Sequence, residues 1–155
     1  MYFAFVAEGK YTGLKLAIKP DPLATTTDGK VTFFIANKTD PLPFYLTEEG
    51  ELICFDVDRE QRQTYMVDIV AHHDGEEAHS LLNVTILDVN DNYPIFVEGP
   101  ETIGLANDAD IGRAIQTFKA TDLDAGPSGQ VIYELSGDGA PYFTIDRNCR
   151  SNLLV

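Results

Sequence analysis

The segment 88–94, with the sequence DVNDNYP, concentrates oxygen-bearing side chains in the middle of the chain. It places two aspartates and two asparagines within five residues. If the segment is extended, alternate side chains project to opposite sides, so these oxygens can face ions on more than one side. Carboxylate, amide and backbone carbonyl oxygens are the ligands of Ca²⁺, which takes about six to eight of them in flexible geometry. The segment therefore predicts a calcium-binding linker; the alternative interpretation is a solvated polar linker that binds nothing.

An EF-hand loop is the other calcium site that such a run of acids could form. A loop starting at Asp88 would need glycine at its sixth position and glutamate at its twelfth. The sequence has Tyr93 and Gly99 there. A loop starting at Asp122 would have Tyr133 at its twelfth position, so the EF-hand interpretation fails at both places.

The charge of the chain points to cations as its small partners. The 155 residues carry 25 Asp and Glu against 11 Lys and Arg, a formal net charge of −14. A polyanion of this kind is repelled by phosphate backbones and by anionic lipid headgroups, so we expect no nucleic-acid partner and no membrane-surface binding. Hydrophobic residues make up 44% of the chain, which is the composition of a folded globular protein.

The sequence predicts neither a membrane-spanning helix nor a signal peptide within these residues. The longest stretch without a formal charge, 78–87, has ten residues, about half of the ~20 that a membrane-spanning helix needs. The start of the chain has no basic flank, and Glu8 interrupts it before an apolar signal-peptide core could form. Any membrane attachment is therefore expected through segments outside this chain.

Strand signals dominate, because apolar residues recur at every second position and no segment carries a helical stripe. Turn-forming residues separate the alternating segments at intervals of about 8 to 12 residues, which is typical of a β-sandwich or barrel. The half-buried strands predicted in this way contain Val31, Phe33 and Ile35; Tyr65, Val67, Ile69 and Ala71; Leu82, Val84 and Ile86; and Val131, Tyr133 and Leu135.

An internal repeat predicts two domains. The segment 29–33 (GKVTF) recurs as 129–133 (GQVIY), and 44–46 (FYL) recurs as 143–145 (FTI), at offsets of 100 and 99 residues. A period of this length is a whole sandwich domain. We therefore expect one repeat over 1–94 and a second, truncated repeat over 95–155, within a longer tandem array whose further strands would cover the exposed ladder.

Motifs spread along the chain add a family pattern to the linker. In order, the sequence has Glu8 before Gly13, DRE at 58–60, DVNDNYP at 88–94 and ATDLD at 120–124. This order resembles the extracellular cadherin repeat over essentially the whole chain. The resemblance implies an all-β fold of tandem seven-stranded Greek-key, immunoglobulin-like sandwiches, the second one incomplete. It also implies a cluster of calcium ions, commonly three, clamped between successive repeats.

The same resemblance assigns the calcium ligands, and they come from three parts of the chain. They are Glu8, Asp58 and Glu60 in the first repeat; Asp88, Asn90 and Asp91 through side chains and Val89 and Asn92 through carbonyl oxygens in the linker; and Asp122, Asp124 and Ser128 in the second repeat, where Ser128 stands in place of the family's frequent asparagine. Seven of these side chains are carboxylates, which repel one another strongly unless divalent ions neutralise them.

The resemblance implies calcium-dependent cell adhesion or cell-surface recognition, with Ca²⁺ rigidifying the junction between repeats. The expected partner is a cadherin ectodomain on the same or another cell, and the expected location is the extracellular side of the plasma membrane. The alternative is an extracellular spacer that holds distant binding repeats apart without an adhesive contact of its own. We expect no enzymatic activity and no small-molecule substrate, since no nucleophile has a motif context and the acids lie along a junction.

Two further sequence features bear on an extracellular location. Asn37-Lys38-Thr39 and Asn83-Val84-Thr85 match the N-glycosylation acceptor pattern, which predicts a glycoprotein if the chain follows the secretory route. Cys54 is expected to be a buried small hydrophobe, and an intrachain disulfide with Cys149 is not expected.

Overall fold

The computed structural model describes residues 1–20, 23–24, 29–36, 41–98, 102–145 and 150–153. The chain divides into two compact units, Met1–Val89 and Asn90–Val155. The division falls inside the segment 88–94; where each folded repeat ends along that segment stays a prediction. Among the described residues, no helix has the length and hydropathy that crossing a bilayer requires.

The first unit is built from seven strands within the described residues. They are β1 (Tyr2–Ala7), β2 (Gly9–Leu16), β3 (Thr32–Ile35), β4 (Phe44–Leu46), β5 (Leu52–Val57), β6 (Thr64–His73) and β7 (Glu76–Leu87). One sheet has the order β1-β7-β6-β3, with β1 parallel to β7 and the other pairs antiparallel. The other sheet has the antiparallel order β2-β5-β4. The chain thus leaves the first sheet for the second at Glu8, between β1 and β2.

The core of the first unit lies between these two sheets. Alternate residues of β7, Leu82, Val84 and Ile86, are at most 3% exposed, as the period of two along a strand requires when one face is buried. Tyr65, Val67 and Ile69 of β6 are buried in the same way. They pack with apolar residues of the second sheet, including Leu46, Leu52 and Cys54. The alternation read from the sequence is confirmed for these strands.

The second unit has five short strands and one 3₁₀ turn in its described part. They are β8 (Ile95–Phe96), β9 (Ala114–Thr117), β10 (Ala120–Thr121), the turn Ala140–Tyr142, β11 (Phe143–Ile145) and β12 (Arg150–Leu153). β8 pairs with β10, and a second sheet has the order β11-β12-β9. The cross-strand pair Phe143↔Leu153 of β11 and β12 is equivalent to the pair Phe44↔Cys54 of β4 and β5, since each residue lies 99 positions further along the chain. The two units therefore share this part of their topology and its register.

The prediction of a strand over 131–135 is wrong. Val131 and Tyr133 are half-buried and Ile132 is 82% exposed, so the alternation is present, but the segment forms no ladder. In the first unit the equivalent strand β3 pairs with β6. The repeat offset of about 100 puts the counterpart of β6 past Val155, so the segment has no partner strand in this sequence. An alternating pattern specifies a face but does not by itself supply the neighbouring strand.

Candidate metal centre

Glu8 is a buried carboxylate at the point where the chain crosses between sheets. The residue is 5% exposed, and its backbone N–H donates to the carbonyl of Leu87 at 2.9 Å, continuing the β1–β7 ladder. Its Oε2 accepts the backbone N–H of Arg59 at 2.9 Å, and its Oε1 accepts that of Val89 at 2.8 Å. A buried charge is tolerated when it is hydrogen-bonded in this way. Glu8 thereby joins the loop after β5 to the chain after β7.

The loop between β5 and β6 supplies two more carboxylates. Asp58 Oδ1 accepts the backbone N–H of Gln61 at 3.0 Å, and Asp58 Oδ2 accepts the Gln61 side-chain amide at 2.8 Å. The carbonyl of Asp58 also accepts the N–H of Arg62 at 3.0 Å, so the loop is a closed turn. This turn presents Asp58 and Glu60 to Glu8, and one carboxylate oxygen from each of the three lies within 4.8 Å of the others.

The three carboxylates fit a single hard cation. Ca²⁺ binds oxygen at about 2.3–2.6 Å, so two oxygens on one ion are at most about 5 Å apart. The 4.8 Å spacing meets that limit, and all three donors are the oxygens that Ca²⁺ prefers over nitrogen or sulfur. The residues present therefore fit calcium.

The electrostatics of the same cluster show why a cation would be favoured. Burial raises the pKa of the Glu60 carboxyl above its ordinary value, and the Glu8 carboxyl beside it raises this pKa further. Both causes disfavour the ionised form. A bound divalent ion would reverse them, because it compensates the charge that burial and the neighbouring acid penalise.

Arg59 is a member of this cluster that the sequence prediction missed. It is 8% exposed, its Nε lies 2.7 Å from Oδ1 of Asp88, and its Nη2 donates to Oε1 of Glu60. The signal that could have found it is its place between two predicted ligands in the DRE motif at 58–60. A basic residue flanked by acids would ordinarily be assigned to the surface, since Arg is rarely buried unless it is paired.

In the second unit the acids are gathered around Asp124, which is 7% exposed. The Asn92 side-chain amide donates to Asp124 Oδ1 at 2.7 Å and to Asp91 Oδ1 at 3.0 Å. The backbone N–H of Asn92 points to the same Asp124 carboxylate at 3.3 Å, and that of Asp124 donates to Asp122 Oδ1 at 3.0 Å. The structure thus brings together four of the predicted ligands of this unit.

The remaining predicted ligands have fewer described contacts. Ser128 is half-buried in a turn that the Gln130 N–H closes by donating to the Pro127 carbonyl at 3.2 Å. The next residue, Gly129, lies so close that a Cβ there would collide with the backbone carbonyl of Asp124. Asn90 and Val89 are exposed. Their roles as ligands, like those of all the other predicted ligands, stay predictions.

The described sequon lies on an inner strand of the four-stranded sheet. Asn83 of β7 is opposite Phe3 on β1 and Met66 on β6, on the face that points away from the core. It is half-buried, and its Oδ1 is buried and accepts no hydrogen bond from the described residues. The sequon at Asn37 lies outside the described residues, and glycosylation of either site stays a prediction. Cys54 is buried with a free thiol, as expected; Cys149 lies outside the described residues.

Comparison with known proteins identifies the family. Human cadherin-23 is 35% identical over 125 residues, which is 78% of this chain and 4% of that protein. Rat protocadherin-16 is 32% identical over 123 residues, which is 77% of this chain and 4% of that protein. The chain therefore spans only a few per cent of the length of these curated relatives. No protein-family model matches the chain.

Solved structures agree with the sequence relatives. The crystal structure of mouse cadherin-23 EC22-24 superposes with a TM-score of 0.81 at 27% identity, over 99% of this chain and 51% of that chain. Human protocadherin-24 EC1-2 superposes with a TM-score of 0.77 at 19% identity, over 99% of this chain and 73% of that chain, which shows the shared fold. With its all-β units, the linker motif and these relatives, the chain belongs to the cadherin family.

Proposed function

We propose that this chain takes part in calcium-dependent cell adhesion or cell-surface recognition, with Ca²⁺ rigidifying the junction between its two repeats. An adhesion-type role in general follows from the family. The observation that supports the calcium part is the gathering of Glu8, Asp58 and Glu60 oxygens within 4.8 Å of one another. It is reinforced by burial: among the described residues the buried polar or charged ones are Glu8, Arg59 and Asp124, each a predicted ligand or the neighbour of one.

The proposed ligand set has a definite charge balance. The seven carboxylates are Glu8, Asp58, Glu60, Asp88, Asp91, Asp122 and Asp124. Three calcium ions would bring six positive charges, so the cluster would fall to about −1. In this proposal Asn90 contributes its side chain, Val89 and Asn92 contribute carbonyl oxygens, and Ser128 takes the asparagine position. The role of the ions is mechanical, since they replace repulsion along the linker by shared coordination.

Partners and location follow from the same proposal. A surface with a formal net charge of −14 favours divalent cations and disfavours nucleic acid. We infer that the partner is another cadherin ectodomain, on the same or a neighbouring cell, and that the repeats lie on the extracellular side of the plasma membrane. The activity is adhesive and not enzymatic.

Calcium-dependent melting of the 155-residue protein tests the proposal. A ligand that binds only the folded state stabilises it by about 2.7 kcal/mol at a hundredfold excess over its Kd, so the Tm should rise when Ca²⁺ replaces EGTA. Mg²⁺ should have little effect, because it demands octahedral geometry and keeps its waters. Asp91→Ala should abolish most of the rise. The matched control, Asp138→Ala in an exposed turn, should keep it; an unchanged Tm in the unsubstituted protein would contradict the calcium proposal.

A spacer role is the second candidate, favoured by the small share of its relatives that the chain spans, 4% of human cadherin-23. In so long an array, most repeats cannot lie at the adhesive contact with a partner. Sedimentation velocity at increasing protein concentration, in EGTA and in CaCl₂, separates the two roles. Calcium-dependent self-association supports the adhesive one. A monomer in both conditions that still gains stability with calcium favours the spacer.

A further inference from the structure

The candidate calcium cluster of the first unit contains a cation of its own. The Arg59 side chain is 10% exposed, and its Nε lies 2.7 Å from Asp88 Oδ1 and 3.9 Å from Glu8 Oε1. Its Nη2 is paired with Oε1 of Glu60. Opposite charges attract more strongly away from bulk water, so these buried ion pairs are stronger than surface pairs. One guanidinium thus forms ion pairs with three proposed metal ligands, Glu8, Glu60 and Asp88.

The position of Arg59 is fixed by the backbone as well as by its side chain. Its own N–H donates to Glu8 Oε2 at 2.9 Å, and the turn that carries it is closed by hydrogen bonds to Asp58 from Gln61 and Arg62. The backbone and the side chain of Arg59 thus both hold its guanidinium among the acids. The other arginine of this loop, Arg62, differs: its Nε donates to the Thr64 carbonyl at 3.1 Å and its guanidinium lies over the Tyr65 ring.

Charge balance indicates what Arg59 would contribute when no metal is bound. Glu8, Asp58, Glu60 and Asp88 carry four negative charges when ionised, and Arg59 reduces the net charge of this group to −3. Buried like charges oppose folding, and the two shorter of the three ion pairs that Arg59 makes involve Glu60 and Asp88, whose side chains are each 19% exposed. Without the guanidinium, these carboxylates would repel one another with little solvent to screen them.

We propose that Arg59 is a positioning residue that stands in for part of the metal's charge: it keeps Glu60 and Asp88 in place in the metal-free unit. Its relation to calcium rests on the proposed function. Arg59 and Ca²⁺ stabilise the same carboxylates, so each is needed more when the other is absent. A purely structural arginine would contribute equally in both conditions.

The test compares Arg59→Met with the unsubstituted 155-residue protein by thermal melting in EGTA and in CaCl₂. Removing one partner of a buried ion pair is strongly destabilising, so in EGTA the Tm of the first unit should fall by about 10 °C or more. In CaCl₂ the fall should be less than half as large. Arg59→Lys, which keeps the charge but loses the fork geometry, should restore part of the loss. An equal fall in both conditions would overturn the proposal.

Lys15→Gln is the matched control for net charge. Lys15 forms an exposed ion pair with Glu51, its side chain being 64% exposed, and such pairs contribute little. Its Tm should stay within about 2 °C of the unsubstituted protein in both conditions. A Lys15→Gln response equal to that of Arg59→Met would mean that overall charge, and not the cluster, sets the effect, which would also overturn the proposal.

A second variant separates this proposal from the calcium proposal. In Arg59→Met/Asp88→Asn both partners of the ion pair lose their charge, which is often close to neutral for stability. In EGTA its Tm should recover at least half of what Arg59→Met loses. If the single variant does not fold in EGTA, the double variant should instead regain a cooperative melting transition there. A failure to recover would refute pairing as the reason for Arg59. If calcium stabilises neither the unsubstituted protein nor Arg59→Met, the calcium proposal fails, and with it the redundancy between Arg59 and calcium; the EGTA comparison still decides the counter-charge role.

Discussion

The two units hold their buried acids by different means. In the first unit, Glu8 is satisfied by two backbone N–H groups and has the Arg59 guanidinium beside it. In the second unit, the described partners of Asp124 within the unit are neutral: the amide and backbone N–H of Asn92. A guanidinium neutralises part of the negative charge of a carboxylate, whereas an amide only fixes the orientation of the carboxylate. Acids with the same predicted role are thus held with a cation of the protein beside them in one unit and by neutral donors in the other.

The units also differ in how much apolar surface supports these acids. All buried hydrophobic side chains among the described residues belong to the first unit, and the buried residue of the second unit's described part is Asp124. The hydrophobic effect is the dominant favourable contribution to folding. We therefore expect core substitutions to cause large losses of stability in the first unit, and substitutions in the second unit to act mainly through the geometry around Asp124.

The largest effect is expected in the core of the first unit. Leu82 is 0% exposed, so Leu82→Ala should lower the free energy of unfolding by about 2–5 kcal/mol, through lost burial and the cavity left behind. Ile132→Ala in the second unit, at a position 82% exposed, should change it by less than about 0.5 kcal/mol. Urea denaturation of both variants checks this, and similar costs would remove the proposed difference in cores.

The reactivity of the Cys54 thiol is a second measure of how well the core of the first unit is closed. Burial, with a smaller contribution from Asp56, raises the pKa of this thiol from 9.0 to about 11. The thiolate is the reactive form, so near pH 8 its fraction falls about a hundredfold for a shift of this size. In a Cys149→Ser background, labelling by a disulfide reagent should be at least about a hundredfold slower in the folded protein than in denaturant. Equal rates would show that the two sheets of the first unit separate readily and expose Cys54.

A smaller effect is expected at Gly129 in the second unit. Since a Cβ there would meet the Asp124 carbonyl, Gly129→Ala should displace this loop at a cost of about 1–3 kcal/mol. It should also weaken the calcium-dependent rise in Tm. Gly104→Ala is the control, because a Cβ at Gly104 meets nothing within 4 Å. If both variants melt alike with and without calcium, the geometry around Asp124 does not govern the second unit.

The smallest effect is a pH dependence of the first unit in metal-free buffer. The pKa of Glu60 is raised by burial and by Glu8, so the folded state binds this proton more tightly than the unfolded state does. The stability contributed by this proton is present below the ordinary pKa of 4.5 and is lost as the pH rises through the raised folded value. Glu60→Gln should remove that part of the decline, measured as denaturant midpoints between pH 4 and 7. Parallel curves for both proteins would contradict the shift.

Much of the fold could be predicted from the sequence, for identifiable reasons. β6 and β7 were found because each has one buried face, which imposes a period of two on residues such as Val67 and Val84. The segment 131–135 has the same period and forms no strand, because pairing depends on a neighbour that local pattern does not reveal. The site divides similarly. The oxygen-rich linker was visible as composition, whereas Glu8 lies 51 residues from Arg59 and 81 from Val89 in sequence and was found only through the family resemblance.

The place of Arg59 in the DRE motif marks it as a neighbour of two predicted ligands, but this place alone does not assign its role. Its function depends on burial and on contacts with Asp88 and Glu8 that only the folded chain creates. Long-range polar contacts of this kind carry no local periodicity, so a sequence pattern can supply the acids but not the cation placed between them.

The parallel pairing of β1 with β7 determines how the first unit resists a force that pulls on its two ends. Tyr2 is opposite Leu82 and Ala7 is opposite Leu87, so the two terminal strands of the first unit run in the same direction. Traction on Met1 against Val89 slides one strand along the other and strains all six facing positions together, whereas a hairpin pulled at its open end unzips one rung at a time. The Glu8 carboxylate accepts a hydrogen bond from the Val89 N–H just beyond the end of this ladder. This bond opposes the first relative movement of the two strands.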